Sequence, residues 1–128
     1  MMNDERNTKG RPQANDLVER TKKFALSVIG LYSRLPGTTL AQVMGRQLLR
    51  SGTSVGAQYR EARRAKSDAD FISKIEGALQ ELEETAYWLE LLEESRVVAT
   101  SEAATLRTEA NELMSILVAS VRTVKRRR

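Results

Sequence analysis

Ser67–Glu94 reads SDADFISKIEGALQELEETAYWLELLEE, and its periodicity decides the fold. Ile72, Ile75, Leu79, Leu82, Ala86 and Leu89 recur at alternating steps of three and four, the seam of a bundle helix. Phe71, Ala78 and Leu92 widen that seam into the broader stripe of a globular core. Ser67 is a favourable N-cap, and Asp68 and Asp70 stand in the first turn, where the helix dipole favours negative charge. Gly77 is the one interruption, at a cost of about 1 kcal/mol in helix propensity. At 1.5 Å per residue the spacing predicts a helix of roughly 40 Å. Tyr87, Trp88 and Leu91 fall off the seam, so this end of the helix is apolar nearly all round and is expected to be covered on more than one side.

Working outward, residues 1–13 are polar and include Gly10 and Pro12, which predicts a flexible N-terminal tail. A first helix is expected from about Ala14 to Leu35, seamed by Leu17, Thr21, Phe24, Val28, Leu31 and Leu35. Pro36-Gly37 ends it. Thr39 and Gln42 have the spacing of a capping box for a second helix, whose seam reads Leu40, Met44, Leu48, Ser51, Val55, Tyr59 and Ala62. Its middle, Ser51–Ala57, is rich in small residues. The stretch suits close approach by a neighbouring backbone or ligand; equally, it could mark a kink. We read a kinked but continuous helix. The fourth helix starts near Thr100-Ser101-Glu102 and carries Leu106, Ala110, Leu113, Leu117 and Val124 on one stripe. Short connections and no strand signal predict an all-α protein, an up-down-up-down four-helix bundle over residues 14–124. A basic C-terminal tail, residues 125–128, follows it.

Composition limits the chemistry. The 128 residues form one domain and contain neither histidine nor cysteine. Ser-His-Asp and Cys-His catalytic arrangements and zinc sites of the usual kind are therefore excluded. A di-iron carboxylate bundle needs Glu-x-x-His pairs, which are absent. Glu76, Glu83 and Glu90 repeat every seven residues beside the seam, in the manner of flanking interhelical charges. The glycines match no phosphate-loop spacing. No cofactor, metal site or catalytic residue is expected, and the protein reads as non-enzymatic. No apolar run reaches the roughly 20 residues that span a bilayer, and the N-terminus lacks an apolar signal core, so the expected compartment is the cytoplasm, away from membrane.

The formal net charge is +4, unevenly spread. Acids crowd the third helix. Arg60, Arg63, Arg64 and Lys66 precede it, and Arg122, Lys125, Arg126, Arg127 and Arg128 end the chain. Up-down-up-down topology brings the start of helix one, the end of helix two, the start of helix three and the end of helix four to one pole. That pole should gather these cations together with Arg20, Lys22 and Lys23, while Glu90, Glu93, Glu94 and Glu102 collect at the other. The plainer account is cations that complement helix C-termini on a solvated surface.

Leu48–Leu92 resembles the core of a family of bacterial four-helix bundle proteins named for reading frames in intervening sequences of large-subunit ribosomal RNA. The similar elements are Arg50-Ser51, Ser54-Val55-Gly56-Ala57, Tyr59-Arg60-Glu61-Ala62, Phe71-Ile72 and Glu84-Thr85-x-Tyr87-Trp88-Leu89. That family is similar to the accessory proteins of diversity-generating retroelements. The likeness implies ring-shaped homopentamers with a basic surface that bind nucleic acid, RNA or DNA, and a partner protein such as a reverse transcriptase. Tyr87, Trp88 and Leu91 are then the expected oligomer interface, since an exposed apolar patch with aromatic anchors marks one. A scaffold that recruits a partner protein through its acidic third helix or its apolar patch is the alternative.

Overall fold

The computed structural model describes residues 14–127, and the expected N-terminal tail and Arg128 lie outside them. Four helices account for nearly all of it: α1 (Ala14–Ser33), α2 (Thr39–Arg63), α3 (Asp68–Glu94) and α4 (Thr100–Arg126). Each packs on its neighbours in sequence, α2 most extensively on α3, and α1 meets α4 more sparsely to close the ring. Cross-helix ion pairs show the antiparallel order. Arg34 at the end of α1 meets Glu102 at the start of α4, and Arg50 of α2 meets Glu81 and Glu84 of α3. This is the expected up-down-up-down bundle. Among the described residues no helix is long and apolar enough to cross a membrane.

The core follows the seams, with a rotation. In α3 the fully enclosed positions are Ile75, Ala78, Leu82, Thr85, Leu89 and Leu92, while Leu79 is only half-buried. The buried stripe thus includes Thr85, a polar residue that the apolar pattern passes over. Ser67 caps α3 as expected, its hydroxyl accepting from the Asp70 amide at 3.0 Å.

The start of α2 departs from expectation. Thr38, not Thr39, is the N-cap, accepting from the Ala41 amide at 3.2 Å. Gln42 turns its amide to the Pro36 carbonyl at 3.0 Å and accepts from the Tyr32 hydroxyl at 3.1 Å. Starting one residue earlier points Ala41 into the core and leaves Leu40 half-exposed on the outside.

The small residues of α2 bring α1 close. A Cβ on Gly45 would lie 2.5 Å from Leu35 Cδ1, on Gly52 2.8 Å from Val28 Cγ2, and on Gly56 3.2 Å from Thr21 Oγ1. The neighbouring helix therefore occupies the missing volume, and α2 runs unbroken from Thr39 to Arg63. Gly77 serves the same purpose toward α2, since a Cβ there would lie 3.0 Å from Gln58 Oε1.

Candidate nucleic-acid interface

The helix ends meet where the topology requires. Leu17 of α1, Tyr59 and Arg63 of α2, Phe71 of α3 and Val124 of α4 surround one open groove of about 630 Å3. Lys66 and Arg127 stand at its rim beside Asp68. The four helix ends therefore share one pole, and Arg63, Lys66 and Arg127 are the expected cations on this groove.

Its cations differ in what they meet. Arg127 approaches Asp68 at 3.7 Å, across the α3–α4 boundary. The Lys66 amide donates to Asp70 at 3.2 Å, which uses one carboxylate of the pole on the turn itself. Arg60, Arg63, Arg64, Arg122, Lys125 and Arg126 are exposed, and neither they nor the Lys66 ammonium has a carboxylate partner among the described residues. Arg60, Arg63 and Arg64 share a second groove of about 370 Å3 with Val18. Arg128, like Lys9 and Arg11 of the tail, lies outside the described residues.

Arg20 does not join the pole. Its guanidinium forks onto both oxygens of Glu109, at 2.7 and 2.9 Å, and also meets Glu112. The hydrogen bond it donates to Glu109 holds its already high pKa higher still, with Glu112 adding to the effect and partial burial opposing it. Lys22 pairs with Glu19 at 3.5 Å. Toward the far pole, Glu93 meets Arg107 and Glu102 meets Arg34, while Arg46 and Arg96 sit there unpaired among the described residues. The acidic end is accordingly weaker than its sequence suggests.

Tyr59 is the one aromatic residue of α2 at this pole and it faces inward, 5% exposed. Burial pushes its hydroxyl above the ordinary tyrosine value, and the Arg63 charge pulls the other way. No base can stack on a ring so enclosed, and Phe71 of α3, half-buried on the same groove, is the other aromatic side chain there.

The expected oligomer interface is mixed. Tyr87 is 52% exposed, whereas Trp88 and Leu91 are half-buried and packed on the core. The two rings sit 5.3 Å apart at 59°, and Trp88 Nε1 is enclosed with no hydrogen-bond partner among the described residues. Leu40 and Val43 of α2, 52% and 53% exposed, enlarge the patch. With Arg50 set against Glu84, antiparallel register carries Val43, two turns back on α2, alongside Leu91, two turns on along α3. The apolar spacing assigns Leu40 to the core, so this part of the patch is hidden in the sequence.

The sequence profile of the 23S rRNA-intervening sequence protein family matches residues 13–119. No curated protein matches the chain significantly. Among solved structures, the chain is similar to a protein of unknown function from the S23 ribosomal protein family of Bacteroides thetaiotaomicron. The two are 37% identical with a TM-score of 0.80, over 85% of this chain and 97% of that one.

Proposed function

The chain belongs to the 23S rRNA-intervening sequence protein family, and on that premise we propose that it is a non-catalytic bundle that binds nucleic acid through its basic pole and associates with copies of itself. The observation that carries this reading is the set of exposed cations at the pole, Arg60, Arg63, Arg64, Lys66, Arg122, Lys125 and Arg126, whose side chains have no carboxylate partner among the described residues. Elsewhere Arg20, Arg34, Arg50, Lys74 and Arg107 each meet a glutamate. Uncompensated cations attract a polyanion and release its counterions on contact, which makes affinity fall steeply with salt. Self-association would multiply weak poles into one avid surface. The absence of histidine and cysteine supports the non-catalytic part of the reading. Filter-binding titrations of RNA and duplex DNA across salt test it, comparing the full chain with one ending after Val124. The full chain should bind with a steep salt slope and the shortened chain with a shallower one. Binding that ignores salt would remove the reading.

A second reading has its own observation. Glu76, Glu83, Glu90 and Glu94 lack a cation partner among the described residues, and all four lie on α3. A scaffold that recruits a basic partner protein would use that helix. A protein that co-purifies in stoichiometric amount from nucleic-acid-free preparations, and is lost in Glu83→Gln/Glu90→Gln, would favour it.

A further inference from the structure

The seam between α1 and α2 is tight where glycines face inward and open where small residues face outward. Buried Gly56 belongs to the tight side, whereas exposed Ala57 offers one methyl and Thr53 folds its hydroxyl back onto the Leu49 carbonyl at 2.7 Å. Opposite Ala25, these side chains leave a hollow of about 260 Å3. Arg60 closes one end of that hollow and is also a wall of the next, the groove of about 370 Å3 shared with Arg63, Arg64 and Val18. The two hollows adjoin at the Arg60 side chain and together make a furrow along the α1–α2 seam. From Thr53 to Arg64 it follows eleven residues of helix, roughly 16 Å.

The furrow has a direction. Its middle is small and nearly uncharged, with Lys22 at the edge held by Glu19. Its end carries three guanidinium groups without a carboxylate among the described residues. A guanidinium is a planar fork that matches two phosphate oxygens, so three around a hollow form a receptor for phosphodiesters. Complementing the C-terminal dipole of α2 accounts for positive charge there. It does not account for a hollow that continues from that charge along the small face of the helix.

We propose that the α1–α2 furrow is the track for a single polynucleotide strand, with phosphates at Arg60, Arg63 and Arg64 and the sugar chain lying against Thr53 and Ala57. This rests on the nucleic-acid reading above and adds to it where the strand lies and that it is single. A concave seam between two packed helices admits one strand, whereas a duplex meets only its lips. No aromatic side chain lines the furrow, so stacking contributes nothing and the strand is held by its backbone, without sequence preference.

Fluorescence polarisation on the full chain tests this, with a labelled mixed-sequence single strand and the corresponding duplex, across salt. Arg60→Gln/Arg64→Gln should weaken strand binding about tenfold or more and lower the salt slope by roughly 0.7 for each phosphate no longer neutralised. Ala57→Leu fills the furrow at an exposed position and changes no charge. It should weaken strand binding about fivefold or more, leave the salt slope unaltered and spare the duplex. Thermal melts confirm that each variant is folded. Strand affinity unchanged in Ala57→Leu overturns the furrow, as does duplex affinity that falls in parallel. If a chain ending after Val124 is then the weakened one, nucleic-acid binding stands and belongs to the tail. A wild type that holds neither strand nor duplex at low salt removes both proposals together.

Discussion

Thr85 Oγ1 of α3 lies 2.8 Å from Ser51 Oγ of α2, and both residues are fully enclosed. Thr85 also reaches the Glu81 carbonyl at 2.8 Å, and Ser51 the Leu48 carbonyl at 3.3 Å. With one proton each, the two hydroxyls make two of these three bonds at a time, and no hydroxyl oxygen is stranded in an otherwise aliphatic layer. Removing one partner leaves the other underserved in a place water does not reach. Thr85→Val should cost about 1–2 kcal/mol in urea unfolding, whereas Thr85→Val with Ser51→Ala should cost less than the sum of the single changes. A strictly additive pair would show that the hydroxyls do not act together.

Two glycine-to-alanine changes should move stability in opposite directions. Alanine has the better helix propensity by about 1 kcal/mol. At Gly52 the new methyl would lie 2.8 and 2.9 Å from the two Cγ atoms of Val28, which is itself wholly buried. Overpacking of about 1–3 kcal/mol should outweigh the gain, so Gly52→Ala destabilises. At Gly30 the nearest atom is Arg34 Nη1 at 3.5 Å, an ordinary van der Waals contact. Gly30→Ala should raise stability by up to about 1 kcal/mol. Parallel urea melts settle both, and a stabilised Gly52→Ala would mean that α1 can back away from α2.

Tyr59 makes stability fall at alkaline pH. Its folded value is raised because burial disfavours the phenolate, with Arg63 opposing. A group that holds its proton more tightly when folded stabilises fully below its unfolded value, about 10. That contribution is lost as pH rises through the higher folded value. The urea midpoint should decline above about pH 10 in the wild type and decline less in Tyr59→Phe. Arg20, raised further above the range by Glu109 and Glu112, keeps its pairs throughout and should not bend the curve. Equal declines in both proteins would place the cause elsewhere.

The four helices are legible in the sequence because apolar spacing is a local property, and Leu17, Phe24, Val28 and Leu31 or Leu106, Leu113 and Leu117 point inward as that spacing requires. The start of α2 is ambiguous in kind. Thr38 and Thr39 can each cap, and moving the cap by one residue exchanges Ala41 for Leu40 at the core. Thr85 escapes the pattern because its burial depends on Ser51, 34 residues away. The cations of the pole are legible as charges, and topology places them together. Which of them are neutralised is not legible, since the partners of Arg20 stand 89 and 92 residues along the chain. The small residues 51–57 hint at the furrow, but their inner and outer faces separate only once α1 lies against them.

The apolar patch is the remaining surface with a sharp test. Leu40 and Val43 of α2 and Tyr87 of α3 are exposed, Trp88 and Leu91 are half-buried, and the helix register sets Val43 alongside Leu91. Isolated exposed leucines mean little, but a contiguous group with an aromatic residue marks a contact surface. Trp88 is a poor probe, since its indole is packed on the core and a charge there would damage the monomer as well. Val43→Glu and Tyr87→Glu change exposed positions only and should leave the melting temperature of the separated chain near wild type. Light scattering at micromolar concentration should give an assembly for the wild type, a ring of five on the family likeness, and a much smaller mass for Val43→Glu/Tyr87→Glu. If the double variant keeps the wild-type mass, copies meet through another face. If the wild type is itself monomeric, the patch is not a self-association surface and avidity has no part in nucleic-acid binding.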